Sequence, residues 1–169
     1  MKQRIHVGGN ASMACPKWLK MLLWVLLLAN MAVIFALSSK TAEQSTATSD
    51  AVLAKPLEVY ENRHPENAGD YRVYQRFQFI VRKAAHVAEF AALCLWATGL
   101  LIAYRVRFPY PLGGCFTALY AASDELHQLL VPGREGKATD WLFDCLGALV
   151  GLLIVCLAVR VIRKRSEGK

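Results

Sequence analysis

The stretch Arg82-Lys83-Ala84-Ala85-His86-Val87-Ala88-Glu89-Phe90 opens an apolar run that continues to Tyr104. A run of that length and composition is a candidate to cross a bilayer as a helix. A charged side chain at the bilayer centre costs about 2.5 to 3.5 kcal/mol even on the lenient insertion scale. His86 and Glu89 therefore need partners or a task. Two further apolar runs carry the same burden: Ser123-Asp124-Glu125-Leu126-His127-Gln128, followed by Pro132-Gly133-Arg134, and then Asp140-Trp141-Leu142-Phe143-Asp144.

Outward from these runs, the 169-residue chain reads as one integral membrane protein embedded in a lipid bilayer. It is 55% hydrophobic, its mean hydropathy is +0.29, and its apolar residues come in long blocks instead of amphipathic stripes. A net charge of +7 raises nucleic acid as a partner, and the placement of the charges argues against it. Lys and Arg crowd the N-terminus (Lys2, Arg4, Lys17, Lys20), the Arg105/Arg107 connection and the C-terminus (Arg160, Arg163, Lys164, Arg165, Lys169). That is a juxtamembrane pattern. The five cysteines, Cys15, Cys94, Cys115, Cys145 and Cys156, show no CxxC spacing, so they read as small apolar fillers and not as a disulfide framework or a thiolate zinc site.

Taken in order, residues 1–17 are a basic cytoplasmic tail and residues 18–37 a first transmembrane helix. Ala36-Leu37-Ser38 resembles a signal-peptide cleavage site, but the apolar region is long for one, which favours a retained helix. Residues 38–83 form an extracytoplasmic loop. Its first part, to Asp70, is polar, exposed and partly disordered, with Pro56 and Pro65 breaking any long helix. From Tyr71, aromatic residues alternating with Arg and Gln predict an amphipathic segment at the membrane surface. Residues 84–162 hold three more spans (84–104, 112–131 and 141–162), and residues 163–169 are a basic cytoplasmic tail. The predicted fold is all-α, an integral membrane bundle of four transmembrane helices with a long polar loop after the first. The Lys and Arg distribution puts both termini of this multi-pass protein in the cytoplasm.

With that threading, the polar start of the second span, the polar end of the third and the polar start of the fourth fall at one extracytoplasmic depth. Residues three or four apart share a helical face. Arg82, His86 and Glu89 make one stripe, Tyr120, Asp124, His127 and Gln128 another, and Asp140, Asp144, Gly147 and Gly151 a third with a flat glycine seam. In lipid such stripes face inward, which predicts a shared charged pocket. Thr139 or Asp140 is placed to cap the last helix, and the glycine seam serves either this bundle or a homo-oligomer.

Three chemistries compete for the pocket. As a binding site, Arg82, Lys83, Gln128, Arg134, Asp140 and Asp144 hold a polar or anionic ligand such as a lipid-linked envelope precursor or a lipid head group, Arg supplying a bidentate phosphate clamp. As a hydrolase or transferase, His86, Glu89, Asp124, Glu125 and His127 are the catalytic candidates. Spaced i,i+3, His86 with Glu89 and Asp124 with His127 also offer ligands to a divalent metal. An ion or proton pathway is a third reading, weakened by the apolar inner halves of all spans. Against these stands an ion-pair network that ties helices together, in which Glu89, Asp124, Glu125, Asp140 and Asp144 outnumber Arg82, Lys83 and Arg134.

At these residues the sequence resembles the VanZ-like family of small membrane proteins. The resemblance rests on Lys83, His86 and Glu89-Phe90, on Asp124-Glu125 with His127-Gln128, on Pro132-Gly133-Arg134, and on Asp140 with Gly147 and Gly151; Ser38-Ser39 is a weaker echo. Asp144 stands where the family commonly has Asn, and Lys40 where it often has Gln. The family is named for a protein linked to low-level resistance to teicoplanin, a glycopeptide antibiotic acting on the bacterial cell envelope. The resemblance implies a bacterial plasma-membrane protein with a part in binding or modifying an envelope component.

Overall fold

The computed structural model describes residues 15–168; the N-terminal tail before Cys15, and Lys169, lie outside the described residues. Every regular element among the described residues is helical: α1 (Lys17–Ser38), α2 (Ala42–Arg63), a single 3-10 turn (Pro65–Asn67), α3 (Tyr71–Ala103), α4 (Pro109–Gln128) and α5 (Ala138–Glu167). All five described cysteines are free thiols.

Helix α1 is built from Leu, Met, Ala and Val behind Pro16, whose extended backbone starts the helix. At 22 residues it is about 33 Å long, enough to cross the roughly 30 Å of bilayer hydrocarbon. The polar region after it is not the exposed loop that its composition predicts. Thr41 and Gln44 form a capping box, with Gln44 N–H donating to Thr41 Oγ1 at 3.3 Å and Thr41 N–H to Gln44 Oε1 at 3.1 Å. They launch the 22-residue α2, in which Pro56 is accommodated. Packing offsets the hydrogen bond that proline removes. Leu53 and Ser49 are buried, and Asp50 accepts hydrogen bonds from Tyr74 Oη at 2.7 Å and from Gln78 Nε2. Helix α2 thus lies antiparallel against the first half of α3.

A left-handed turn at Gly69 and an Asp70 cap, whose Oδ1 accepts from Arg72 N–H at 2.8 Å, start α3. Its 33 residues run unbroken for about 50 Å. The segment expected to lie along the membrane surface is therefore the first half of a continuous helix, packed against α2.

Contacts along the helices fix their directions. Lys83 meets Asp140, His86 meets Asp144, and Gly147 lies on the Val87 carbonyl, so α3 and α5 run parallel. Helix α4 runs back antiparallel alongside both, with Gly113 on Thr98 and Phe90 beside Tyr120. Helix α1 is parallel to α4, since Tyr120 Oη donates to Met31 O at 2.9 Å and Ser38 reaches Asp124. The core at this junction is Leu27 and Ile34 of α1, Phe90, Leu93, Ala97 and Leu100 of α3, and Ala121 of α4.

Among the described residues three helices, α1, α3 and α5, are long and apolar enough to cross a membrane, rather than the four expected. Helix α4 falls short because Pro109, Pro111, Gly113, Gly114, Thr117 and Ser123 dilute its apolar residues and Asp124 and Glu125 close it. The glycine seam is internal to the bundle. A Cβ at Gly147 would sit 2.5 Å from Val87 O and 3.1 Å from Phe90 Cβ, and one at Gly151 would collide with Ala91 O. Gly151→Val is expected to lower stability by about 1 to 3 kcal/mol through overpacking, read as a fall in thermal unfolding temperature in detergent. Ala158→Val, on an exposed part of α5, should leave that temperature unchanged.

Candidate functional site

The charged residues of three helices meet at the end of the bundle where α1 and α4 finish and α5 begins. Buried Asp124 of α4 is held by two donors through Oδ2, Ser38 Oγ at 2.8 Å and Gln128 Nε2 at 2.8 Å, and Gln128 also reaches Ser38 Oγ at 3.4 Å. Glu125 turns the other way and accepts the Lys137 backbone N–H at 3.0 Å, pinning the start of α5. That leaves α5 without a side-chain cap; Asp140, expected as a cap, instead accepts Lys83 Nζ at 2.6 Å and Thr139 Oγ1 at 3.2 Å.

One turn deeper, His86 Nδ1 lies 3.2 Å from Asp144 Oδ1. Asp144 is 0% exposed, and its Oδ2 has no hydrogen-bond partner among the described residues. An Asp at this depth is tolerable because the His86 ring bonds to it and the Lys83 charge, paired with Asp140, lies close by.

The connection between α4 and α5 turns at Gly133, whose φ of 73° is left-handed. It carries Arg134 back over the end of α1. There Nε donates to Lys40 O at 3.1 Å, Nη2 to Leu37 O at 3.2 Å and Nη1 to Gln128 Oε1 at 3.4 Å. A guanidinium beside the C-terminus of α1 answers the negative end of the helix dipole, and Leu37 O accepts from it in addition to accepting the Lys40 N–H at 3.2 Å. Burial, and then the positive charge of nearby Arg82, lower the Arg134 pKa from its ordinary value. Beside it, the exposed Glu135 and Lys137 pair at 2.8 Å, a bond that lowers the Glu135 pKa and raises that of Lys137.

Two cavities flank Arg82. One, of about 120 Å³, lies between the end of α1, the first half of α2 and α3, with Ser38, Lys40, Arg82, His86, Glu89 and Arg134 among its walls. The other, a more open cleft of about 490 Å³, is lined by Gln75, Gln78, Arg82, Lys83, Gln128, Arg134, Lys137 and Asp140. Arg82 and Arg134 face both. Neither Arg82 nor Glu89 makes a hydrogen bond or ion pair with any described residue.

Of the residues singled out from sequence, Arg82, His86, Glu89 and Arg134 line the first cavity, while Arg82, Lys83, Gln128, Arg134 and Asp140 line the second. Asp124, Glu125 and Asp144 lie behind the walls as supports. His127 stands apart, stacked on Phe35 with ring centroids 4.7 Å apart and its Nε2 3.0 Å from Ser39 Oγ. Among the described residues no group of three His, Cys, Asp or Glu side chains that could hold a metal ion is found. Ser38 and Lys40 of the α1 end, and Ser45, Thr48 and Ser49 of α2, also line the first cavity and were not assigned to it from sequence. The Ser-Ser pair directly after an apolar run was the available signal; the α2 residues gave none once the segment was read as a loop.

A bundle of membrane-length apolar helices that concentrates its ionisable residues at one end defines a helical membrane protein with a polar terminal site. The family model described as VanZ/LLP1 matches residues 23–159, and the chain belongs to that family. No curated protein and no solved structure matches this chain.

Arg134→Ala removes three hydrogen bonds that join the α4–α5 connection to the ends of α1 and α4. It is expected to cost about 1 to 3 kcal/mol in detergent unfolding and to speed amide hydrogen exchange around Ser38–Lys40. Arg134→Lys should recover only part of the loss, because one ammonium cannot span acceptors set in three directions.

Proposed function

We propose that the protein crosses the bacterial plasma membrane four times, both termini in the cytoplasm, and binds a polar or anionic cell-envelope molecule through its extracytoplasmic pocket. The fourth crossing is α4. Parallel packing of α3 and α5 leaves the chain no other way back, and the charged C-terminal turn of α4 sits in the polar end of the bundle instead of in lipid. The domain limits follow: a basic tail to residue 17, a first crossing over 18–37, an outer segment over 38–83 that includes α2, a bundle over 84–162 and a basic tail over 163–169.

One observation carries the binding reading. Arg82 presents an unpartnered guanidinium to both cavities, with the positive charges of Arg134 and Lys137 close by. Like charges held together repel, and an anion between them relieves that repulsion. Guanidinium geometry suits phosphate, which favours a lipid-linked precursor or a phospholipid head group over an uncharged envelope component. The link of the family name to teicoplanin resistance agrees with an envelope ligand.

A second reading, a membrane hydrolase or transferase, is favoured by His86. With Asp144 accepting its Nδ1–H, the ring faces the cavity with Nε2 available as a base.

The binding reading is tested by thermal unfolding of detergent-solubilised protein with added polyprenyl phosphate. Wild type is expected to unfold at rising temperature as ligand is added, and Arg82→Gln to lose most of that shift. An equal shift in Arg82→Gln would contradict the reading.

A further inference from the structure

We propose that the ligand of this pocket is zwitterionic, with a phosphate set against Arg82 and a primary ammonium set against Glu89. The inference rests on the binding reading above and narrows the chemistry of what is bound.

Nearly every other charged group around the smaller cavity is already committed within the protein. Lys83 holds Asp140, His86 holds Asp144, Asp124 accepts from Ser38 and Gln128, and Lys40 Nζ donates to Thr48 Oγ1 at 3.0 Å. Glu125 is pinned to the Lys137 backbone, and Arg134 to two backbone carbonyls and Gln128. Arg82 and Glu89 remain. They line one cavity, half-buried, and neither has a partner among the described residues.

These two do not neutralise each other. Seven residues apart on α3, they share a face but are separated by roughly 10 Å along the helix axis, with His86 between them. The cavity therefore presents a cation at one end and a carboxylate at the other. Leaving either partly desolvated and unpaired is unfavourable. A simple anion would satisfy Arg82 but be repelled by Glu89, whereas a simple cation would satisfy Glu89 and be repelled by Arg82 and Arg134. A ligand carrying both charges satisfies both ends. The cavity's 120 Å³ is several times the roughly 10 to 15 Å³ that a single water needs on the same kind of measure, which suits a compact head group. A primary ammonium brings N–H donors that a carboxylate can accept, making phosphoethanolamine the simplest chemical match. It can come from a phospholipid or from a soluble metabolite.

The test follows thermal unfolding of the full chain in detergent against short-chain phosphatidylethanolamine, short-chain phosphatidylglycerol and soluble phosphoethanolamine. Wild type is expected to respond to phosphatidylethanolamine at a concentration roughly tenfold below that needed for phosphatidylglycerol. Glu89→Gln should abolish this preference while keeping the phosphatidylglycerol response, and Arg82→Gln should weaken both. A response to soluble phosphoethanolamine as well as to the lipid supports the same head group without a required tail; a response to the lipid alone supports it with the tail contributing. Equal responses to the two lipids in wild type, or a preference that survives in Glu89→Gln, would overturn the zwitterion. In either case an Arg82-dependent phosphatidylglycerol response would leave anion binding standing. The wild-type comparison decides the matter even if a variant folds poorly.

Discussion

The contact between His86 and Asp144 is the constraint around which this bundle is arranged. A carboxylate with no solvent exposure needs a donor close by, and the helix that supplies it must approach closely enough to deliver it. Gly147 and Gly151 allow that approach by letting α5 lie directly on the backbone of α3. Lys83 and Asp140 repeat the pairing one turn nearer the end of the bundle. One lysine–carboxylate contact, one histidine–carboxylate contact and two glycines, in phase along parallel helices, set the register of the interface between α3 and α5.

The remaining architecture follows from that register. With α3 and α5 parallel and in direct contact, α4 returns alongside both and delivers Asp124, Glu125 and Gln128 to the same end as His86. The short connection to α5 then passes over the end of α1, where Arg134 ties it to Leu37 and Lys40. Helix α2 packs on the projecting half of α3 and closes one wall of the smaller cavity with its first half. The cavity is thus bounded by elements far apart in sequence. Arg82 faces it because Lys83, its neighbour, is turned toward α5.

Much of this was legible in the sequence, and what was not has identifiable causes. Apolar runs interrupted by His86, Glu89, Asp124 and Asp144 announced a helical membrane protein whose polar stripes turn inward, and helical spacing put Arg82, His86 and Glu89 on one face. Helix α2 was hidden because its Ser, Thr, Asp and Glu content resembles a loop and Pro56 suggests a break, although the Thr41–Gln44 capping box was present in the letters. Helix α4 was read as a span with Asp124, Glu125, His127 and Gln128 near its end, and it is the added weight of its prolines and glycines that holds it below the apolar standard of the other three. The role of Arg134 was out of reach for another reason: two of its acceptors are backbone carbonyls, which leave no mark in the side-chain pattern. A three-residue spacing of His and carboxylate fixes a face and not a direction, so the letters did not show that His127 points to Ser39 and Phe35.

A double-mutant cycle on His86 and Asp144, with alanine at each position and in combination, tests the account most directly. Unfolding free energies in detergent should show a coupling of about 1 to 3 kcal/mol, the double variant being less destabilised than the sum of the single ones. Additive losses with no coupling would mean that the buried carboxylate does not depend on the imidazole, and would contradict the arrangement of helices described above.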